Sequence, residues 1–400
     1  MIHELGWLLF FVALITSVII HEAGHFLTAK RFGMKATQFF AGFGPTLWSV
    51  QRGETEYGIK ALPAGGFVKI IGMTPLEEVE PGDEDRAFYK QPPGRRAVVL
   101  VAGSTMHFII AIVLVYAAVL IGGVINDKAP VLSAPASCVP ATETATCGKN
   151  APASPAQKAG IQQGDKVVAV GDNKITSFDQ FAKTVRAEPA GPVQISIIRD
   201  GKPMTLTVDL VTAQRTSLTD SSKTEKVSVM GIGQDLVVDH PGPIGAISKS
   251  ASSLGQLFTG TFKALGELPS KLNTLFSPNR DPTGAVGVVG ISRISGDVAA
   301  AHEPLSLRIG SFLGLIAGLN FFVGIFNLLP LMPLDGGHLA VLGFEQGRDR
   351  FRRFRGYRGP LQRVDLQKLM PVAFAVVAVF VVLSVLILSA DIVNPIKIPQ

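Results

Sequence analysis

The stretch IIHEAGHFLTAK, residues 19–30, closes an apolar run that reaches back to Leu5. Four residues make about one helical turn, so His21 and His25 lie one above the other on a single face with Glu22 beside them, the spacing of a zinc site that carries its own base. The run from Leu5 to Ala29 is long enough to cross a bilayer, where an ionisable side chain costs several kcal/mol unless it faces protein or water. A lone buried histidine is more often a satisfied core residue than a ligand, so this stretch alone leaves the matter open. A third ligand tips it. NLLPLMPLDGGH, Asn327–His338, ends a second apolar run from about Ile309 and places Asp335 before Gly336 and Gly337. Two imidazoles and one carboxylate leave a fourth tetrahedral position free, the arrangement of catalytic rather than structural zinc.

Composition supports a membrane setting. Charged residues are 17% of the 400, below the roughly 25% of soluble proteins, and the apolar residues come in blocks. The net charge of +6 resides in basic residues beside those blocks, as juxtamembrane anchors do, and this argues against nucleic acid as a partner. Cys138 and Cys147 are too few for a disulfide framework and lack metal-ligand spacing.

The order of segments follows from the same rules. Residues 1–36 hold the first transmembrane helix; Lys30, Arg31 and Lys35 put its end on the cytoplasmic side and its start outside. Residues 37–72 turn extended: Leu47–Gln51, Thr55–Leu62 and Phe67–Ile71 read as a β-hairpin with one more strand, a membrane-associated or re-entrant element whose free edge could hold an extended substrate. Residues 73–97 are an acidic linker with Glu77, Glu78, Glu80, Asp83, Glu84 and Asp85. The second span, 98–125, contains GSTMH, Gly103–His107; His107 is either a helix-packing hydrogen bond or a partner of the metal site. Residues 126–153 form an extracytoplasmic linker where Cys138 and Cys147 meet oxidising conditions that favour a local disulfide.

Residues 154–213 read as a compact α/β domain, with strands at Lys166–Val170, Val193–Arg199 and Met204–Leu210 and a Ser177/Gln180 capping box before a helix. The pattern AGIQQGDKVVAVG, Ala159–Gly171, resembles a bacterial PDZ domain, which implies a groove for a peptide ligand. Residues 214–304 suggest an interfacial amphipathic helix over Pro243–Phe276, broken at Pro269, then a loop or strand at Gly284–Asp297. The third span with the LDG motif occupies 305–344, a basic cytosolic loop 345–367, and the fourth span with its tail 368–400. The chain is thus expected to be a polytopic α-helical membrane protein with about four transmembrane helices, a re-entrant β-hairpin sheet and an extracytoplasmic PDZ-like domain.

The paired motifs, HExxH in the first helix and NxxPxxPLDG in the third with a PDZ-like insert between, resemble the site-2 protease family of intramembrane zinc metalloproteases. The resemblance extends to actinobacterial forms through GFGPTLWSVQRGETEYGIK, Gly42–Lys60. It implies that His21, His25 and Asp335 bind zinc, that Glu22 is the catalytic acid and base, and that Asn327, Pro330 and Gly336 lie near the substrate. That substrate would be a single-span membrane protein such as an anti-sigma factor, or a signal-peptide remnant, cut in the bilayer of a bacterial plasma membrane. The family usually carries Asn in a G-x-x-x-N motif of the second helix; here His107 stands there, which leaves the role of the position open. Two rivals use the same residues otherwise: a metal transporter, for which no inverted repeat is evident, and a silent PDZ scaffold, which needs neither Glu22 nor Asp335.

Overall fold

The computed structural model describes residues 2–73, 79–142, 145–148, 151–217, 224–277, 280, 284–301, 303–359 and 363–396. Glu77 and Glu78 of the acidic linker lie outside them. In chain order the elements are α1 (Ile2–Arg31), β1 (Ala36–Arg52), β2 (Thr55–Ile70), α2 (Pro93–Gly122), β3 (Val124–Ile125) and α3 (Pro155–Lys158). There follow β4 (Lys166–Val170), β5 (Asn173–Lys174), α4 (Phe178–Ala187), β6 (Gly191–Arg199), β7 (Lys202–Thr216), β8 (Thr224–Val229) and β9 (Val238–Asp239). The chain ends with α5 (Pro243–Leu272), α6 (Val288–Ala300), α7 (Leu305–Asn327), α8 (Asp335–Phe354) and α9 (Met370–Val393). Two units result, one from residues 1–123 with 241–400 and one from 124–240.

Among the described residues of the first unit four stretches are long and apolar enough to cross a bilayer: Ile2–Arg31, Pro93–Gly122, Leu305–Asn327 and Leu366–Val393. α2 buries a ridge at Val99, Gly103, His107, Ala111, Val115 and Val119, an i, i+4 row that packs as one seam. The β region differs from the expected hairpin plus strand. Only two strands form, but both bend, so that 46–52, 55–60, 36–41 and 66–70 lie side by side in that order. The leg missed in the sequence is Ala36–Ala41, which pairs on both sides. The hairpin turn is pinned by Glu54, which accepts from Arg86 at 2.8 and 2.9 Å and from Lys30 at 2.6 Å. The linker after it is not simply solvated, because Ala87 and Phe88 are buried.

Four more expectations are corrected. The third span stops at Asn327 instead of running on through the LDG motif, since Pro330 and Pro333 lack the N–H that a continuing helix needs. Asp335 begins a new helix, and the expected basic loop is helical through Phe354 because α8 has its own inner face at Leu342, Glu345 and Asp349. Gly284–Asp297 is largely the helix α6: Asp391, far along in α9, accepts from Gly287 N and Gly290 N at 2.9 Å and caps it. Pro269 falls within the last turn of α5 and does not break it.

The second unit is larger than 154–213. Its antiparallel sheet runs β5-β4-β6-β7-β8, and its core unites Val167, Phe181, Ile195 and Val208 with Leu132 and Met230 from outside the expected bounds. The Ser177 cap forms as expected, accepting from Gln180 N at 3.2 Å, and a disulfide joins Cys138 to Cys147. Asp165, buried, accepts from Arg199 Nε and Nη2 at 2.8 and 2.7 Å and from Gln162 N at 2.9 Å. Burial raises its pKa, yet these donors outweigh burial and hold it below the ordinary value.

Because Leu132 and Met230 complete this core, a 124–240 fragment is expected to melt cooperatively in calorimetry, while a 154–213 fragment is not. Within the larger fragment Asp165→Asn should cost about 2 kcal/mol in urea denaturation at pH 7, a buried-pair figure reduced for the partly exposed Arg199. The folded-state pKa of Asp165 is depressed, so its contribution is complete above the unfolded value of about 3.9 and lost as pH falls through the folded value. The wild-type advantage should therefore shrink below about pH 4.

Candidate metal centre

The buried face of α1 carries Phe10, Ser17, His21, Gly24 and His25, one stripe of a 3.6-residue period. Asp335 reaches the same place from α8. His21 Nε2 lies 3.1 Å from His25 Nε2, and Asp335 Oδ2 lies 3.4 Å from the first and 3.3 Å from the second. Zinc bonds of about 2.0–2.1 Å at tetrahedral angles demand ligand separations of about 3.3–3.4 Å, so the three atoms already have the spacing that the metal requires. Asp335 Oδ2 and His21 Nδ1 are buried with no hydrogen-bond partner among the described residues. An orphaned carboxylate oxygen beside two imidazole nitrogens is costly without a cation, and the donor set fits zinc.

Each of the three side chains is held by something behind it. His25 Nδ1–H donates to the Val99 carbonyl of α2 at 2.8 Å, which fixes the tautomer that leaves Nε2 free to ligate. Gly103, one turn further along α2, lies directly over the pair: a Cβ there would stand 2.4 Å from His25 Nε2 and 2.6 Å from His21 Nε2. Only glycine fits. Asp335 is set by the helix behind it, because Leu342, two turns along α8, packs in a cluster with Ala29, Met34, Val99 and Leu100. Gly336 is needed for that approach, since its Cβ would meet the Leu328 carbonyl at 2.2 Å.

The other sequence candidates fall in different places. Glu22 lies beside the β2 leg, its Cγ 3.2 Å from where a Cβ on Gly66 would be. His107 is buried, its ring 4.9 Å from that of His21. Asn320 Nδ2 donates to Ile316 O at 2.9 Å, so its Oδ1 accepts from His107 Nδ1–H, also at 2.9 Å. His107 thus bonds across to α7 and lies against the His21 ring. The same bond leaves His107 Nε2 with the lone pair. Asn327 is the last residue of α7 and half-buried, Pro330 is exposed, and Gly336 packs against its own chain. Gly103 and Asn320 were missed as site residues. The signal for Gly103 was its position four residues before His107, on the same face; Asn320 was a lone amide in an apolar run.

Adding one methyl at Gly103 should therefore displace the imidazoles: Gly103→Ala is expected to lower zinc affinity at least about 10-fold, read as metal content after dialysis against a chelator, with helical circular dichroism unchanged.

Comparison with known proteins agrees with this geometry. The family model described as Peptidase family M50 matches residues 9–362. The chain is 39% identical over 406 aligned positions to zinc metalloprotease Rip1 of Mycobacterium tuberculosis, covering 99% of each. It is 38% identical to Rip1 of Mycolicibacterium smegmatis over the whole of both chains. A putative zinc metalloprotease of Clostridium perfringens matches at 31% over 81% of this chain and 83% of that one. With its ligand spacing, its membrane-length helices and a match across nearly its whole length, the chain belongs to peptidase family M50, the site-2 proteases, and is an intramembrane zinc metalloprotease.

Proposed function

We propose that this protein hydrolyses a peptide bond within the membrane segment of single-span proteins of the anti-sigma-factor type, with His21, His25 and Asp335 holding zinc and Glu22 moving the proton. The observation that carries this reading is the approach of Asp335 Oδ2 to both Nε2 atoms at 3.3–3.4 Å. Zinc held there supplies a Lewis acid that brings the pKa of water toward about 7 and polarises the substrate carbonyl. Glu22 takes the proton from the attacking water and returns it to the leaving amide nitrogen. Val99 and Gly103 keep the two imidazoles oriented while this happens.

A helical substrate shields its carbonyls in hydrogen bonds, so the segment to be cut must be extended first. The β2 leg 66–70 supports that step. It pairs with 36–41 on one side, no strand covers its other edge among the described residues, and Gly66 adjoins Glu22. An unwound substrate added to that edge would pass the metal. Phe43, Leu47, Trp48, Ile59 and Leu62 are exposed on the same sheet, which suits a re-entrant element in lipid. Asn327 and Pro330, in the turn between α7 and Asp335, would contact the freed backbone.

The proposed topology puts the N-terminus and residues 124–240 outside a bacterial plasma membrane and the metal near the cytosolic face. Lys30, Arg31, Arg95, Arg96 and the arginines of α8 support that orientation, and the Cys138–Cys147 disulfide suits an oxidising compartment for the second unit. That unit, read as a PDZ domain, would take a peptide in its groove and govern which substrates reach the bilayer.

Glu22→Gln should retain zinc, measured by metal analysis of the purified protein, and lose cleavage of a model single-span substrate by about 10²–10⁴-fold. Undiminished cleavage would remove Glu22 as the base.

A further inference from the structure

α8 has two unlike faces. Leu342, Glu345 and Asp349 turn inward, where Glu345 accepts from Val364 N at 2.8 Å and from Arg96 at 3.4 Å. The opposite face is aromatic: Phe344, Phe351 and Phe354 are 62%, 57% and 89% exposed, at spacings that align them in one stripe. Guanidinium groups flank it. Arg348 lies 5.8 Å from the Phe344 ring, Arg355 4.8 Å from Phe351 and Arg352 5.9 Å from Tyr357.

Charge is one-sided as well. Residues 344–368 contain eight Lys and Arg against three Asp and Glu, and two of the acids, Glu345 and Asp349, are buried on the inner face. The outer surface is therefore strongly cationic. The helix is also tethered: only Leu328–Leu334 separate it from α7, and it is followed by α9, both long and apolar enough to span a bilayer. A cationic helix with exposed phenylalanines, tied at both ends to spans, is held where headgroups begin, and the matching surface is an anionic leaflet.

We propose that the outer face of α8 docks on anionic phospholipid headgroups and that this contact sets the metal site, because Asp335 is the first residue of the same helix. The coupling rests on Asp335 as a zinc ligand; the docking does not. Lipid that seats the arginines and phenylalanines fixes the roll and depth of α8, and with them the position of the Asp335 carboxylate against His21 and His25. The membrane's charge then becomes a determinant of zinc retention.

The test uses the full chain in nanodiscs of phosphatidylcholine with and without phosphatidylglycerol. Native mass spectrometry reads which lipid stays bound, and a chelator competition reads zinc. Wild type should retain phosphatidylglycerol in preference to phosphatidylcholine, lose that preference as salt rises, and hold zinc several-fold more tightly when phosphatidylglycerol is present. Replacement of Arg350, Arg353 and Arg358 by Gln with Phe351→Ser and Phe354→Ser should abolish both effects and leave zinc binding in phosphatidylcholine as in wild type. Lysine at the three arginine positions, with the phenylalanines kept, should preserve the preference and guards against misfolding of the first variant. An undiminished preference in the neutralised protein, or displacement of the lipid by soluble poly-glutamate, overturns the docking. Zinc retention in wild type that ignores lipid composition overturns the coupling. If His21→Ala binds as much zinc as wild type, the ligand assignment fails instead, and the lipid measurement still decides the docking.

Discussion

Two imidazoles and a carboxylate held within hydrogen-bonding distance of one another, in a protein whose surroundings are largely hydrocarbon, form a cluster that a bound cation would stabilise. Asp335 Oδ2 has no donor among the described residues although both Nε2 atoms face it, and an uncompensated buried carboxylate is expensive. The rest of the first unit can be understood as the apparatus that keeps this cluster assembled. α2 supplies the Val99 carbonyl that orients His25 and the bare Gly103 backbone that makes room for both rings. The apolar cluster around Leu342 and Leu100 fixes the helix that bears the carboxylate.

The break between α7 and α8 is central to this. A continuous third span would carry Asp335 onward along its own axis; the two prolines end α7 at Asn327, and the chain restarts as a helix whose first residue is Asp335. The turn is so tight that Gly336 sits against the Leu328 carbonyl. Placing Asp335 at the head of a new helix lets that helix's own packing, more than that of the span, set its position.

The sheet adds a second feature beside Glu22. Bending gives a two-stranded hairpin the width of four legs, and the last of them passes Glu22 with no strand on its other edge among the described residues. His107 keeps a hydrogen bond to α7 through Asn320, and its ring lies 4.9 Å from that of His21. An amide would offer a donor there. A neutral imidazole in this tautomer offers a lone pair.

What the sequence determined by itself is whatever one or two turns of backbone decide. Helical spacing put His21 and His25 on one face, apolar length marked the spans, and Ser177 with Gln180 announced the start of α4. The LDG motif named Asp335 as the third ligand from its chemistry, yet its distance from the imidazoles was beyond any local rule. Tertiary structure alone decided that distance, the Gly103 roof, the His107–Asn320 bond and the cap that Asp391 places on α6 from another helix. It also decided that Leu132 and Met230 belong to the second unit's core and that β8 extends its sheet. Those contacts join residues scores to hundreds of positions apart, and what selects them is packing and the need to satisfy buried polar groups, which no periodicity within a single segment encodes.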